Sequence, residues 1–240
     1  MRLVIAWLGS PTTVVLALTL FCNSAVGQQP QVSPPGKTRI VLLGTGTPGP
    51  LPDRSGPATA VVVNDVAYLV DFGPGVVRRA NAAFLDRDIN ALEPTKLRVV
   101  NAHEIGPGVI YKDANVTVTA FATKHAMESY GYRFDTADRS IVISGDTNPT
   151  QETIDACHGC DVLIHEAHSP AWLATRPDYF QQFAAKFHTT TTQLAELATK
   201  ARPRLLILYH YVSVSPEDLY DEMVAQYEGH FVVGRDLDVY

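Results

Sequence analysis

Three short apolar runs in this chain each stop at a residue able to bind a metal. ATKHAMESYGYRF (122–134) carries His125, IVISGDTNP (141–149) carries Asp146 and LLILYHYVS (205–213) carries His210. A further run, Asp161–Ile164, ends at His165-Glu166. Uninterrupted apolar runs of this length suit strands covered on both faces. Thr189–Lys200 and Pro216–Tyr227 read as helices, with Thr189–Thr192 offering N-cap oxygens. Strands alternating with helices demand a sheet on which the helices pack. A His, an Asp and a His projecting from strand ends can converge, and imidazole and carboxylate are both zinc ligands.

The earlier half reads differently. Arg39–Leu43 is a first strand, running into GTGTPGP. That loop lacks the third glycine of a dinucleotide fingerprint, and Pro48 and Pro50 prevent a helix from opening there. Ala58–Val63 and Ala67–Val70 predict a hairpin turning at Asn64-Asp65. Asp71–Gly75 then leads into a helix reaching about Phe84. Asn115–Phe121, Gly131–Phe134 and Ser140–Ile143 predict three successive strands, Gln151–Ala156 a helix, and His230–Val233 with Leu237–Tyr240 closing strands. Hairpins first and alternation later predict a mixed-sheet α/β sandwich. A chain of 240 residues, 46% hydrophobic, is long enough for one such core.

The first 27 residues read as a secretory signal. Arg2 supplies the positive end, Val14–Cys22 the apolar stretch, and Ala25-Val26-Gly27 a small-x-small cleavage site before Gln28. The apolar stretch is too short for stable membrane insertion, so the expected destination is the periplasm or the exterior. Residues 28–38, rich in Pro, Gln and Ser, predict a disordered linker, which leaves 39–240 as the domain. Beyond the leader the cysteines are Cys157 and Cys160, in CHGC. That spacing is open to a disulfide, half a zinc site or a redox pair. With no second C-x-x-C, the preferred reading is two small residues at a helix end, oxidised after export. The chain holds 19 basic and 25 acidic residues, a net −6, with no clustered basic run. This predicts no nucleic-acid partner and leaves a small ester-like substrate open. Oligomeric state is open as well.

The motifs resemble, in order, those of the metallo-β-lactamase fold, and within it the branch of ribonuclease Z and arylsulfatase-like hydrolases. IVLLGTGTPGP, RSGPATAVVV and YLVDFGPG resemble that branch's N-terminal hairpin sheet, with its acidic turn at Asp71. KHAMESYGYRF, SGDT, HEAH, FHTTTTQLAELA and LILYHYVS resemble its later motifs. The resemblance covers nearly all of the chain after the leader. It implies an αββα sandwich of the α/β class and a hydrolase that binds two zinc ions. Carried over by position, His125 would bind one metal, His210 the other, and Asp146 would bridge them. Glu166 would orient His188, which would protonate a leaving oxygen or hold the substrate's charge. The family's central H-x-H-x-D-H, the source of most of its ligands, has no counterpart in this sequence. Val100 runs instead into NAHEIGPGVIYKDANV, similar to a segment much further along the family pattern. An internal deletion near 100/101 is therefore expected. It would leave the sandwich incomplete in its N-terminal half and the site with at most one weakly held zinc.

By lineage the chain reads as an exported metal-dependent hydrolase of ester-like bonds (phosphodiester, sulfate ester, carboxylic ester or lactone), with its own turnover impaired. The alternative is a catalytically inactive remnant of the fold, or a truncated gene model, acting as a binding or structural protein. Processing of tRNA is disfavoured, because only DTADRSIVI separates Phe134 from Ser144, where the resemblance implies a long arm. His103 is read as structural, no functional reading is attached to His158, His168 or His230, and Asp71 is read as a turn and packing residue.

Overall fold

The structure, a computed structural model, describes residues 37–47, 51–83, 103–211 and 215–240. The expected signal, nearly all of the linker, Pro48 and Pro50, the strand ahead of Val100 and the 100/101 junction lie outside the described residues. Thr38, the last residue assigned to the linker, is buried and hydrogen-bonded to Asp138.

Strands β1 (Arg39–Gly44), β2 (Ala58–Val63) and β3 (Val66–Val70) form an antiparallel sheet in that order. Asn64 and Asp65 join β2 to β3 with φ of 50° and 62°, the left-handed conformation of a tight hairpin turn. Helix α1 (Val76–Ala82) lays Val76 and Ala80 on the outer face of this sheet, against Val41, Leu43 and Val62.

Among the described residues the second sheet has seven strands: β4 (Gly108–Lys112), β5 (Thr117–Ala122), β6 (Tyr130–Asp135), β7 (Ser140–Ile143), β8 (Val162–Glu166), β9 (Leu205–Tyr209) and β10 (Phe231–Val233). Their spatial order is β10-β9-β8-β7-β6-β5-β4. Pairing is antiparallel from β4 to β7 and parallel from β7 to β10. The helices of this half are α2 (Gln151–Cys157), α3 (Pro170–Leu173), α4 (Asp178–Phe187), α5 (Thr191–Ala201) and α6 (Pro216–Val224).

The apolar runs are explained by two-sided burial. In β8 and β9, Ile164, Ile207 and Tyr209 face Ile40, Leu42 and Val61 of the first sheet, while Leu163, Leu206 and Leu208 face Leu194, Leu197 and Met223 of the helices. The result is the expected α/β sandwich, αββα in layers. One expectation needs correction. Leu237–Tyr240 is not a full strand: it runs beside β1, with Ile40 and Tyr240 exchanging both backbone hydrogen bonds and a single bridge at Val41–Val239. Cys157 and Cys160 form a disulfide at the end of α2, the first of the three possibilities left by their spacing.

Candidate active site

Strands β5, β7, β8 and β9 run in the same direction, and His125, Asp146, Glu166 and His210 each lie at or just past the carboxyl end of one of them, while His188 follows α4. In open α/β sheets this is the edge at which ligands bind, because chain loops and not helices cover it. The backbone is bent hard there. Asp71, just after β3, has φ 63°, His210, just after β9, has φ 47°, and Gly145 ahead of Asp146 has φ 64°. Left-handed backbone at a non-glycine residue costs of order 1–3 kcal/mol and persists only where surrounding contacts enforce it.

Asp146 and His210 are in direct contact. His210 Nε2 lies 3.1 Å from Asp146 Oδ1, and its Nδ1 lies 2.9 Å from the carbonyl oxygen of Gly46. Burial works against a charge on His210, but the Asp146 carboxylate outweighs it and the pKa is pushed up to about 9. Burial likewise opposes ionisation of Asp146, and the His210 hydrogen bond and charge overcome it, so its pKa is lowered. Asp71 stands at the open side of the site. Partial desolvation and the negative charge of Asp146 raise its carboxyl to about 6, against the pull of His210.

A second pair lies beside the first. His188 Nδ1 is 2.9 Å and 3.1 Å from the two oxygens of Glu166. Glu166 is 2% exposed and also accepts a hydrogen bond from the backbone N–H of Thr147. Burial raises its pKa and His188 opposes this; burial lowers that of His188, and the carboxylate more than restores it. Thr189 and Asn148 fix the pair to the Asp146 loop. Thr189 Oγ1 donates to the Thr147 carbonyl at 2.6 Å, and Asn148 Nδ2 donates to the carbonyls of Ala185 and His188 at 3.0 and 3.1 Å. His125 packs its ring against His188, with centroids 5.1 Å apart, and its buried Nε2 has no hydrogen-bond partner among the described residues. Burial holds its pKa down, which keeps the imidazole neutral.

All five residues singled out in the sequence are therefore near neighbours: Asp146 with His210, Glu166 with His188, and His125 against His188. The role of Asp71 was missed. The sequence suggests a packing residue, whereas the structure sets it close enough to Asp146 and His210 to feel both charges. Its position as the last residue of YLVD, just past a strand end like the other acids, was the available signal. His165 and His168 are buried close by, each with an Nε2 that is unpartnered among the described residues.

The donor types suit zinc: neutral imidazole at His125, a second imidazole at His210, and carboxylate at Asp146. The arrangement does not. Among the described residues, no three His, Cys, Asp or Glu side chains gather closely enough to hold a metal ion. His210 spends its Nε2 on Asp146, and His125 turns to His188.

Residues 64–211, which include every member of this cluster, match the beta-lactamase superfamily domain. The chain belongs to that superfamily. Ribonuclease Z of Mycobacterium tuberculosis is 25% identical over 261 aligned positions, covering 82% of this chain and 96% of the relative. Among solved structures, the metallo-beta-lactamase fold protein YhfI of Bacillus subtilis superposes with a TM-score of 0.67 at 15% identity, covering 85% of this chain and 98% of that one. The short form of human tRNase Z gives 0.61 at 19%, covering 84% and 98%. Zn(2+)-bound PqqB of Methylobacterium extorquens gives 0.60 at 12%, covering 84% and 99%. These superfamily likenesses bear out the metallo-β-lactamase fold and the ribonuclease Z branch. They overturn one expectation. The acidic balance of the chain was taken to exclude a nucleic-acid partner, yet the relatives are named as ribonucleases and tRNases. A net charge sums the whole surface, whereas a substrate meets only the groups around the site.

Proposed function

We propose that this chain is a phosphodiester hydrolase of the ribonuclease Z lineage, exported, with RNA inside its substrate class and with turnover well below that of an intact relative. The convergence of His125, Asp146, Glu166, His188 and His210 at one sheet edge, in a chain matched to ribonuclease Z over 96% of the relative's length, carries this reading. The Glu166–His188 pair gives the site its acid. The carboxylate holds Nδ1, which leaves Nε2 to donate a proton to a departing oxygen or to bind a phosphoryl oxygen. The ion pair of Asp146 and His210 fixes the loops that present it.

Impairment is supported by the ligand count. Catalytic zinc usually rests on three protein ligands, and the described residues do not bring three together. The alignment with the mycobacterial ribonuclease Z spans 261 positions, more than the 240 residues of this chain, so the relative carries segments that this chain lacks. We therefore expect at most one weakly held zinc. The Cys157–Cys160 disulfide and the apolar leader support export, because disulfides persist in oxidising compartments.

The test is zinc analysis of purified protein after mild chelation, run beside turnover of an aryl phosphodiester, an aryl carboxylic ester and a short RNA. Slow hydrolysis confined to the phosphodiesters, lost in His188→Ala, is expected. Two tightly retained zinc ions with efficient turnover would refute the impairment. No turnover of any substrate, with zinc in excess, would favour the inactive remnant, the reading that the unconverged ligands also support.

A further inference from the structure

Helix α4 carries Tyr179, Phe183 and Phe187 at successive intervals of four residues, which places them on one face. Such a stripe is normally the buried side of a helix. Here it is not. Tyr179 is 75% and Phe183 42% exposed, and the buried residue of α4 is Ala184. A helix rises about 1.5 Å per residue, so the three rings form a ledge about 12 Å long. One end of the ledge abuts the site. The Phe183 ring centroid lies 5.0 Å from that of Phe187 and 5.7 Å from that of His188, and Phe187 lies 5.8 Å from His125.

The ledge is held in place and charged at its inner end. Asn148, two residues from Asp146, bonds the carbonyls of Ala185 and His188 and so fixes the end of α4 to the site loop. Lys186 places its ammonium over the Phe187 ring at 5.0 Å, and Lys124 precedes His125 with its side chain exposed. The acid of α4, Asp178, lies at the far end beside Tyr179. Aromatic faces with cations beside them suit flat π-systems joined by phosphates, and stacking tolerates every base.

We propose that the Tyr179–Phe183–Phe187 ledge is a stacking platform for the unpaired bases of single-stranded RNA, holding the strand so that a phosphodiester reaches His188 and His125. This rests on the phosphodiester reading above and adds the part of the substrate that the site recognises. Phe183, midway along the ledge and in contact with both Phe187 and the His188 ring, is its central positioning residue.

The test is binding of the full protein, in chelator, to a short fluorescein-labelled single-stranded RNA and to an abasic strand of the same length and charge, read by fluorescence anisotropy. The wild type should bind the base-bearing strand more tightly. Phe183→Ala should weaken that binding by roughly 5–100-fold and leave the abasic strand unchanged. Phe183→Trp should keep the preference, and Tyr179→Ala should weaken it less than Phe183→Ala does. Equal affinity for both strands in the wild type, or an unchanged preference in Phe183→Ala, would overturn the proposal. So would an equal loss on both strands that Phe183→Trp does not restore. Binding in chelator requires no turnover. A base preference without phosphodiester hydrolysis would thus count against the hydrolase reading alone, and hydrolysis without a base preference against the ledge alone.

Discussion

Removing the imidazole of His165 should make the fold less sensitive to acid. His165 is 0% exposed, its Nδ1 lies 2.8 Å from the carbonyl oxygen of Glu166, and its Nε2 has no partner among the described residues. A proton added at Nε2 would place a charge and a donor where no acceptor exists. Burial accordingly depresses its pKa from 6.5 to about 4. An unfolded chain takes up that proton near pH 6.5, and the folded chain does not until about pH 4. The contribution to stability is therefore complete above pH 6.5 and is lost as pH falls through this interval. A gap of that size corresponds to roughly 3 kcal/mol in full, of which about 2 kcal/mol is gone by pH 5. Asp71, His188 and His210 have raised pKa values and act in the opposite direction over the same range, so the wild-type pH profile alone cannot isolate His165. The difference between proteins can. Urea unfolding at pH 7.5 and pH 5 should show His165→Leu losing about 2 kcal/mol less than the wild type on acidification, whatever its stability at pH 7.5. Equal losses in the two proteins would refute the reasoning and would mean that the folded state protonates His165 near its ordinary pKa.

Glu166→Gln should lower the titration midpoint of His188, followed by NMR of its ring proton, because the carboxylate is what offsets burial there; an unmoved midpoint would show that the pair is not coupled. Gly131→Ala should destabilise by about 1–3 kcal/mol in urea unfolding, since a methyl group at Gly131 would come within 2.3 Å of the Phe121 ring that covers it from the neighbouring strand. Replacing Cys157 and Cys160 by serine should cost on the order of 2 kcal/mol, the modest value expected for so short a closed loop, and reduction of the wild type should reproduce it.

Much of the fold was legible because its signals are local. The bounds of β2 and β7 agree with the sequence reading to the residue, one fixed by the Asn64-Asp65 turn and the other by the polar residues on either side of SIVI. Strands β8 and β9 announced themselves by apolar runs that only two-sided burial explains. Helix α4 was missed because its apolar stripe is aromatic and half exposed, so its pattern does not resemble a core-facing helix. Strand β4 was missed for a related reason: it is a sheet edge, with Val109 and Tyr111 exposed and a register shift between them, and alternation is lost. At the site, residue types were readable and relations were not. His125, Asp146 and His210 stood out as donors, but that His210 would bind Asp146 while His125 turned to His188 depends on loop conformations with positive φ. The kinship with proteins named as ribonucleases was hidden by a charge total, which says nothing of where the lysines lie.

Asp236 accepts hydrogen bonds from the backbone and hydroxyl of Thr45 and from the backbone of Ser55, and pairs with Arg79 at 3.1 Å. With the Ile40–Tyr240 pairing, it fastens the first sheet to a segment far along the chain. Thr45 and Asp236 are 191 positions apart in sequence. On the ribosome, the hairpin of the first sheet must therefore wait until Asp236 has emerged before these contacts can form. Contacts this distant slow folding and lengthen exposure to aggregation. Until then the apolar inner face of the first sheet lacks the clamp that fixes it, so the order of synthesis sets how long that face stays unsecured.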